Sequence, residues 1–226
     1  MSLTQLRPIT ASRSPRFREA AYAAIKEAIL SGQIGPNQPL VEEQLAASLQ
    51  ISRTPVREAL AILEHEGLIG PRGSRGLYVT SLTREEFVAM FVANEAVEPF
   101  LVRRAALLAT PAQLEELQET ITRARAATAE RNTSAFLRAS RDFHRLVGEA
   151  ANNEPLAKFV LRNEERTDMY LMSVDKAVDP ANMEASTREH AAILGALTQR
   201  DPEAAARLTI YHAQSLRERI AELFEG

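Results

Sequence analysis

AIKEAILSGQIGPNQPLVEEQLAASLQISRTPVREALAILEHEGLI, residues 24–69, is the stretch that decides the reading of this chain. Its first part closes a helix that begins near Arg16. Tyr22, Ile25, Ile29 and Leu30 recur at helical spacing, and Gly32 follows Ser31 as a stop signal. GQIGPNQPL is a turn-rich connector. Val41 to Leu49 predicts a short second helix presenting Leu45 and Leu49. Ser52 then stands where an N-cap belongs, and RTPVREALAILEHE runs as a third helix to Gly67 with Val56, Leu60, Ile62 and Leu63 inward. Immediately beyond, LIGPRGSRGLYVT (68–80) divides into two short β-prone pieces around a Gly/Arg turn.

Helix, short helix, turn, helix and hairpin, in that order, predict a winged helix–turn–helix. Such a domain places its third helix in the DNA major groove and lays the hairpin on the backbone. The first turn of the third helix carries Ser52, Arg53, Thr54 and Arg57. Arg53 and Arg57 are four residues apart and so project from one face, and arginine is suited to bidentate contact with guanine or phosphate. Pro55 falls in the first turn, where its missing N–H costs little. At the wing tip Arg72 and Arg75 flank Gly73-Ser74, an arrangement that offers backbone and guanidinium groups to phosphate. The loop lacks the lysine and spacing of a P-loop.

Charge follows the same division. Residues up to Thr80 sum to +2, whereas the remainder sums to −5, within a total of −3 over 226 residues. Hydrophobic residues at 45% and charged residues at 25% are the balance of a globular protein. No apolar run exceeds the seven residues Phe87 to Ala93, which excludes a membrane-spanning helix. The N-terminal MSLTQLRPITASRSPR has no apolar segment of the signal-peptide kind, so a cytoplasmic protein is expected. Absence of cysteine removes disulfides, thiolate metal sites and cysteine nucleophiles.

From Ser81 onward the pattern is helical almost throughout. Thr83 with Glu86, and Thr110 with Pro111 and Gln113, are capping boxes. Asn153 opens NEPLAKF, and Asp201-Pro202-Glu203 places a cap before a first-position proline. About six helices are predicted, near 84–108, 111–130, 133–151, 154–174, 182–199 and 202–224, with Pro99 as a candidate kink in the first. The expected architecture is therefore mainly α: an arm (1–15), a winged helix–turn–helix (16–80), a linker (81–83), then an all-α bundle (84–226).

His144, His190 and His212 each lie on or beside the apolar stripe of a different one of these helices. His144 shares a face with Leu137, Ser140 and Val147, His190 with Met183 and Leu194, and His212 with Leu208 and Leu216. One buried histidine is ordinarily a hydrogen-bonded core residue. Three on inward faces of one bundle form a ready site for zinc, with nickel or manganese as alternatives. His65, at the end of the third helix, reads as a C-terminal cation only.

The stretch quoted first resembles the DNA-binding domain of GntR-family bacterial transcription regulators, and SRTPVREAL resembles the recognition helix of their FadR subfamily. By that resemblance Arg53, Thr54, Pro55 and Arg57, with the wing around Gly73, are DNA contacts, and Glu43 stands where some relatives present an arginine. RDFHRLVGEAANNEPL and EHAAILGALTQRDPEAAARLTIYH resemble the FCD ligand-sensing domain, many members of which bind a metal through three histidines and an Asp or Asn one turn before the first. The histidines match one for one, but Ser140 holds the fourth place, and Asp142 lies about 200° around the helix from His144. FVANEAVEPFLVRRAA resembles the FCD opening helix with Asn94 where an arginine is common, which leaves Arg166 and Tyr170 as candidates for an anionic effector. The resemblance implies a homodimer on a palindromic operator, a repressor by family tendency, and a small organic-acid effector that shifts the bundle helices. The alternative from another class is a metal-dependent hydrolase with a three-histidine site. Against it stand the lack of HExxH, of a general-base carboxylate evident beside the histidines, and of a GxSxG elbow around Ser74.

Overall fold

A computed structural model describes residues 15–73, 76–174 and 178–222. The N-terminal part is built from α1 (Pro15–Leu30), β1 (Pro39–Leu40), α2 (Glu42–Leu49), α3 (Arg53–His65), β2 (Ile69–Pro71) and β3 (Leu77–Val79). Ile25, Ile29, Val56, Ala59, Leu60, Leu63, Leu68 and Val79 form its core. Ile62, expected inward, is exposed, and Ala59 takes the buried position instead. The wing is a three-stranded antiparallel sheet in the order β1-β3-β2, with Pro39 opposite Tyr78 and Ile69 opposite Val79. A two-stranded hairpin was the expectation. The third strand is two residues within the connector, too short for any periodicity, and Pro39 is tolerated because β1 is an edge.

The C-terminal part comprises α4 (Arg84–Leu108), α5 (Pro111–Ala129), α6 (Thr133–Ala150), α7 (Glu154–Ser173), α8 (Pro180–Thr198) and α9 (Pro202–Glu222). Local caps set most of the starts. Both side chain–backbone bonds of the capping box form at Thr83/Glu86 and again at Thr110/Gln113. Asp179 caps α8 by accepting from the Asn182 amide at 2.7 Å, so that helix begins two residues before the expected 182. α4 continues through the buried Pro99 as one helix.

Leu101, Leu117, Phe143, Val160, Ile193 and Leu197 anchor the main bundle core. α6 and α7 cross closely at Gly148, where an added Cβ would lie 2.7 Å from the Ala157 Cβ. Met169 of α7 belongs to the winged-helix core, so the two parts are packed against each other through α7. Among the described residues no helix is long and apolar enough to cross a membrane.

Candidate metal centre and nucleic-acid interface

At the start of α3, the N-cap Ser52 and the helical Arg53, Thr54 and Arg57 are all exposed, as their spacing predicts. Pro55 is buried in the domain and is not presented with them. Ser52 occupies the N-cap position with extended backbone, yet its exposed side chain makes no capping hydrogen bond. Arg57 is held from α2: its Nε donates to Glu42 Oε1 at 3.0 Å and its Nη2 to Oε2 at 2.8 Å. The same carboxylate lies 3.7 Å from Arg53 Nη2. Glu43 is exposed beside it. In the wing, Arg72 is exposed and donates to Asn37 Oδ1 at 3.3 Å. Gly73 at φ +62° and Gly76 at φ +98° take left-handed backbone that a side chain would strain. Ser74 and Arg75 lie outside the described residues.

The three bundle histidines converge from α6, α8 and α9. Their candidate ligand atoms all fall within 4.8 Å of one another, and each residue is under 9% exposed. His190 Nε2 is 3.2 Å from His212 Nε2. Two carboxylates orient the rings from behind. His144 Nδ1 sits 2.5 Å from Glu98 Oε1 on α4, and His212 Nδ1 sits 2.6 Å from Glu189 Oε2 on α8. An Nδ1–H directed at a carboxylate leaves the Nε2 lone pair for the centre, the usual way in which a metal-binding imidazole is held. His190 is fixed differently, by stacking at 4.4 Å and 9° on Phe143.

Electrostatics suit a cation. Burial, together with the neighbouring His212 and His144, holds His190 neutral well below its ordinary pKa. Burial alone would lower His144 too, but Glu98 and Glu164 outweigh it and raise that imidazole to about 9. Glu189 is held down to about 2, because its bonds to His212 and Arg219 overcome the burial that opposes ionisation. Nothing in helical spacing along one helix points to Glu98 or Glu189, since each meets a histidine on a different helix. No carboxylate beside the histidines is evident in the sequence, and the fold supplies two.

A cavity of about 40 Å³ opens beside the histidines, room for a few waters or a small ligand. Ser140 lines it, on the His144 side as the register predicts, whereas Asp142 turns away to Arg123 at 2.8 Å. Asn94 also lines it, donating to Glu164 Oε1 at 2.8 Å and accepting from Asn163 Nδ2 at 2.8 Å. Arg166 and Tyr170 do not. Tyr170 stacks on Phe87 at 4.4 Å in an apolar cluster, and Arg166 lies against Gly67 of the winged-helix part. Asp168, two residues on from Arg166, takes the inward position and pairs with the buried Arg141. Burial outweighs that arginine and raises Asp168 to about 7. The lining thus carries Glu98, Glu164 and Asp168 and, among the described residues, neither lysine nor arginine.

The two halves match two family models: "Bacterial regulatory proteins, gntR family" over residues 17–79 and "FCD domain" over residues 89–215. The chain is 29% identical over 222 residues, 97% of its length and 93% of the relative's, to the HTH-type transcriptional repressor RspR of Escherichia coli K12. Among solved structures it is similar to Escherichia coli McbR/YncC, with a TM-score of 0.80 at 22% identity over 92% of this chain and 97% of that one. A GntR transcriptional regulator from Rhodococcus sp. RHA1 gives 0.78 at 22% identity, over 92% of this chain and 99% of the other. The gntR family model and the RspR relative describe transcription regulators, and neither supports the hydrolase alternative. Bearing an FCD domain over more than half its length behind a gntR winged helix, the chain belongs to the bacterial gntR family of DNA-binding transcription regulators.

Proposed function

We propose that the chain is a metal-dependent repressor of the FadR subfamily. Its winged helix (16–80) reads a palindromic operator as a homodimer, and its bundle (84–226) holds one divalent metal and a small effector. One observation carries the metal assignment: three buried imidazoles converge on one point, two of them oriented by carboxylates that engage Nδ1 and so turn Nε2 toward the centre. The donor set is all nitrogen, which suits zinc, and nickel or manganese are its competitors. Ser140 adds a neutral hydroxyl at most. A coordination position therefore stays open, and it is the one place where this acid-lined cavity would welcome an anionic oxygen.

DNA contact is assigned to Ser52, Arg53, Thr54, Arg57 and Arg72 with the Gly73 turn, and Ser74 and Arg75 belong to the same proposed wing tip. Asn94, the one of the expected effector residues that lines the cavity, is assigned to the effector. The name of the RspR relative supports the repressor reading.

Elemental analysis of protein from metal-replete medium should find one divalent metal per chain. Chelation should lower the melting temperature, since a ligand bound to the folded state alone stabilises it by about 4 kcal/mol at 1,000 times Kd. His190→Ala should abolish that response. Absence of metal, with no shift on adding zinc or nickel, refutes the assignment.

A further inference from the structure

We propose that Glu42 is a positioning residue for operator reading, acting through Arg57. This rests on the assignment of α3 as the reading helix and adds a determinant from α2. A guanidinium has five N–H donors in a fixed fork. Glu42 engages Nε and one side of Nη2, at 3.0 and 2.8 Å. What remains is the far edge, Nη1 with the second Nη2 donor, the parallel pair that meets guanine O6 and N7 or a phosphate.

Exposure agrees with this division of labour. The Arg57 side chain is 65% exposed and the Glu42 side chain only 27%, so the guanidinium is the more accessible member of the pair. Glu42 also lies in the first turn of α2, where a carboxylate is favoured by the helix N-terminus and is fixed to a rigid element. The Arg57–Glu42 bond lowers the Glu42 pKa, which keeps the anion in place.

An anion on a DNA-facing surface weakens attraction to phosphate generally. Here it stands close to both reading arginines, 3.7 Å from Arg53 Nη2 as well. Removing it should raise affinity for any duplex and unfix Arg57. Glu42 therefore exchanges general affinity for discrimination between sequences.

The test uses the full chain and a duplex selected from a random-sequence pool, with an unrelated duplex as the non-specific probe, both at one fixed salt concentration. Glu42→Ala should tighten non-specific binding and lower the ratio of specific to non-specific affinity about tenfold. Glu42→Gln, which keeps the shape but cannot accept from both nitrogens, should lower the ratio in the same direction. In an Arg57→Ala background, Glu42→Ala should produce no further fall in the ratio. A merely structural Glu42 would change folding and leave this non-additivity absent. The proposal is overturned if both Glu42 variants keep the wild-type ratio, or if the Glu42→Ala loss adds in full to that of Arg57→Ala. If Arg57→Ala alone leaves both affinities intact, the reading of α3 itself fails with it.

Discussion

Replacing Lys26 by Met tests how the two halves are held together. Lys26 Nζ of α1 donates to Tyr22 Oη at 2.7 Å, pairs with Glu66 Oε2 at 3.0 Å, and pairs with Glu165 Oε1 of α7 at 2.8 Å. Burial works against the ammonium, but Glu165 outweighs it and the pKa is raised. Methionine keeps most of the stem's packing and removes only the charge. Glu66 and Glu165 then face each other, with the Tyr22 hydroxyl between an acceptor and no cation.

Breaking one partner from a buried ion pair costs about 3–5 kcal/mol, and from an exposed pair about 0–1 kcal/mol. With the Lys26 and Glu66 side chains 17% exposed and Glu165 at 7%, the site lies nearer the buried limit. Allowing for partial screening, about 2–3 kcal/mol is expected. For a chain of this size, each kcal/mol moves the midpoint by about 2–4 °C, so the melting temperature should fall by about 4–12 °C. The assay is thermal unfolding by circular dichroism at fixed pH and metal content, for wild type, Lys26→Met, Glu165→Gln and the double variant. Glu165→Gln should restore part of the loss in the Lys26→Met background, because it removes the orphaned charge. A Lys26→Met midpoint within about 1 °C of wild type would show that this buried cluster does not hold the halves together, as would full additivity of the two substitutions.

Ser140→Asp should tighten metal binding, since it places a carboxylate one turn from His144 on the cavity side, and should weaken the response to an anionic effector. Competition with a coloured chelator reads the first and effector-dependent release from DNA the second; an unchanged metal affinity would remove Ser140 from the site. The Asp168 carboxyl is raised from 3.8 to about 7, so the stability it contributes is complete below about pH 3.8 and is lost as pH rises through about 7. Metal-stripped protein should therefore melt lower at pH 8 than at pH 6, and Asp168→Asn should reduce that slope, leaving the part that His144, raised to about 9, contributes in the same direction, whereas an unaltered slope would assign the dependence elsewhere.

By itself the sequence determined what short-range physics decides. Helix starts at Thr83, Thr110 and Asp201 were legible because a capping bond spans three residues, and each one forms. The exposed arginine face of α3 and the inward placement of His144, His190 and His212 were legible because helical periodicity sorts faces without knowledge of partners. What lies across from those faces depends on long-range packing. Glu98 meets His144 across 46 positions and Glu189 meets His212 across 23, separations that no local period encodes. Arg166 and Asp168 show the other limit. They are two residues apart on one helix, about 200° around it, and the sequence favoured Arg166 for the inward side. Packing of α7 between two cores settled it: Asp168 turned to Arg141 and the cavity, and Arg166 to the winged helix.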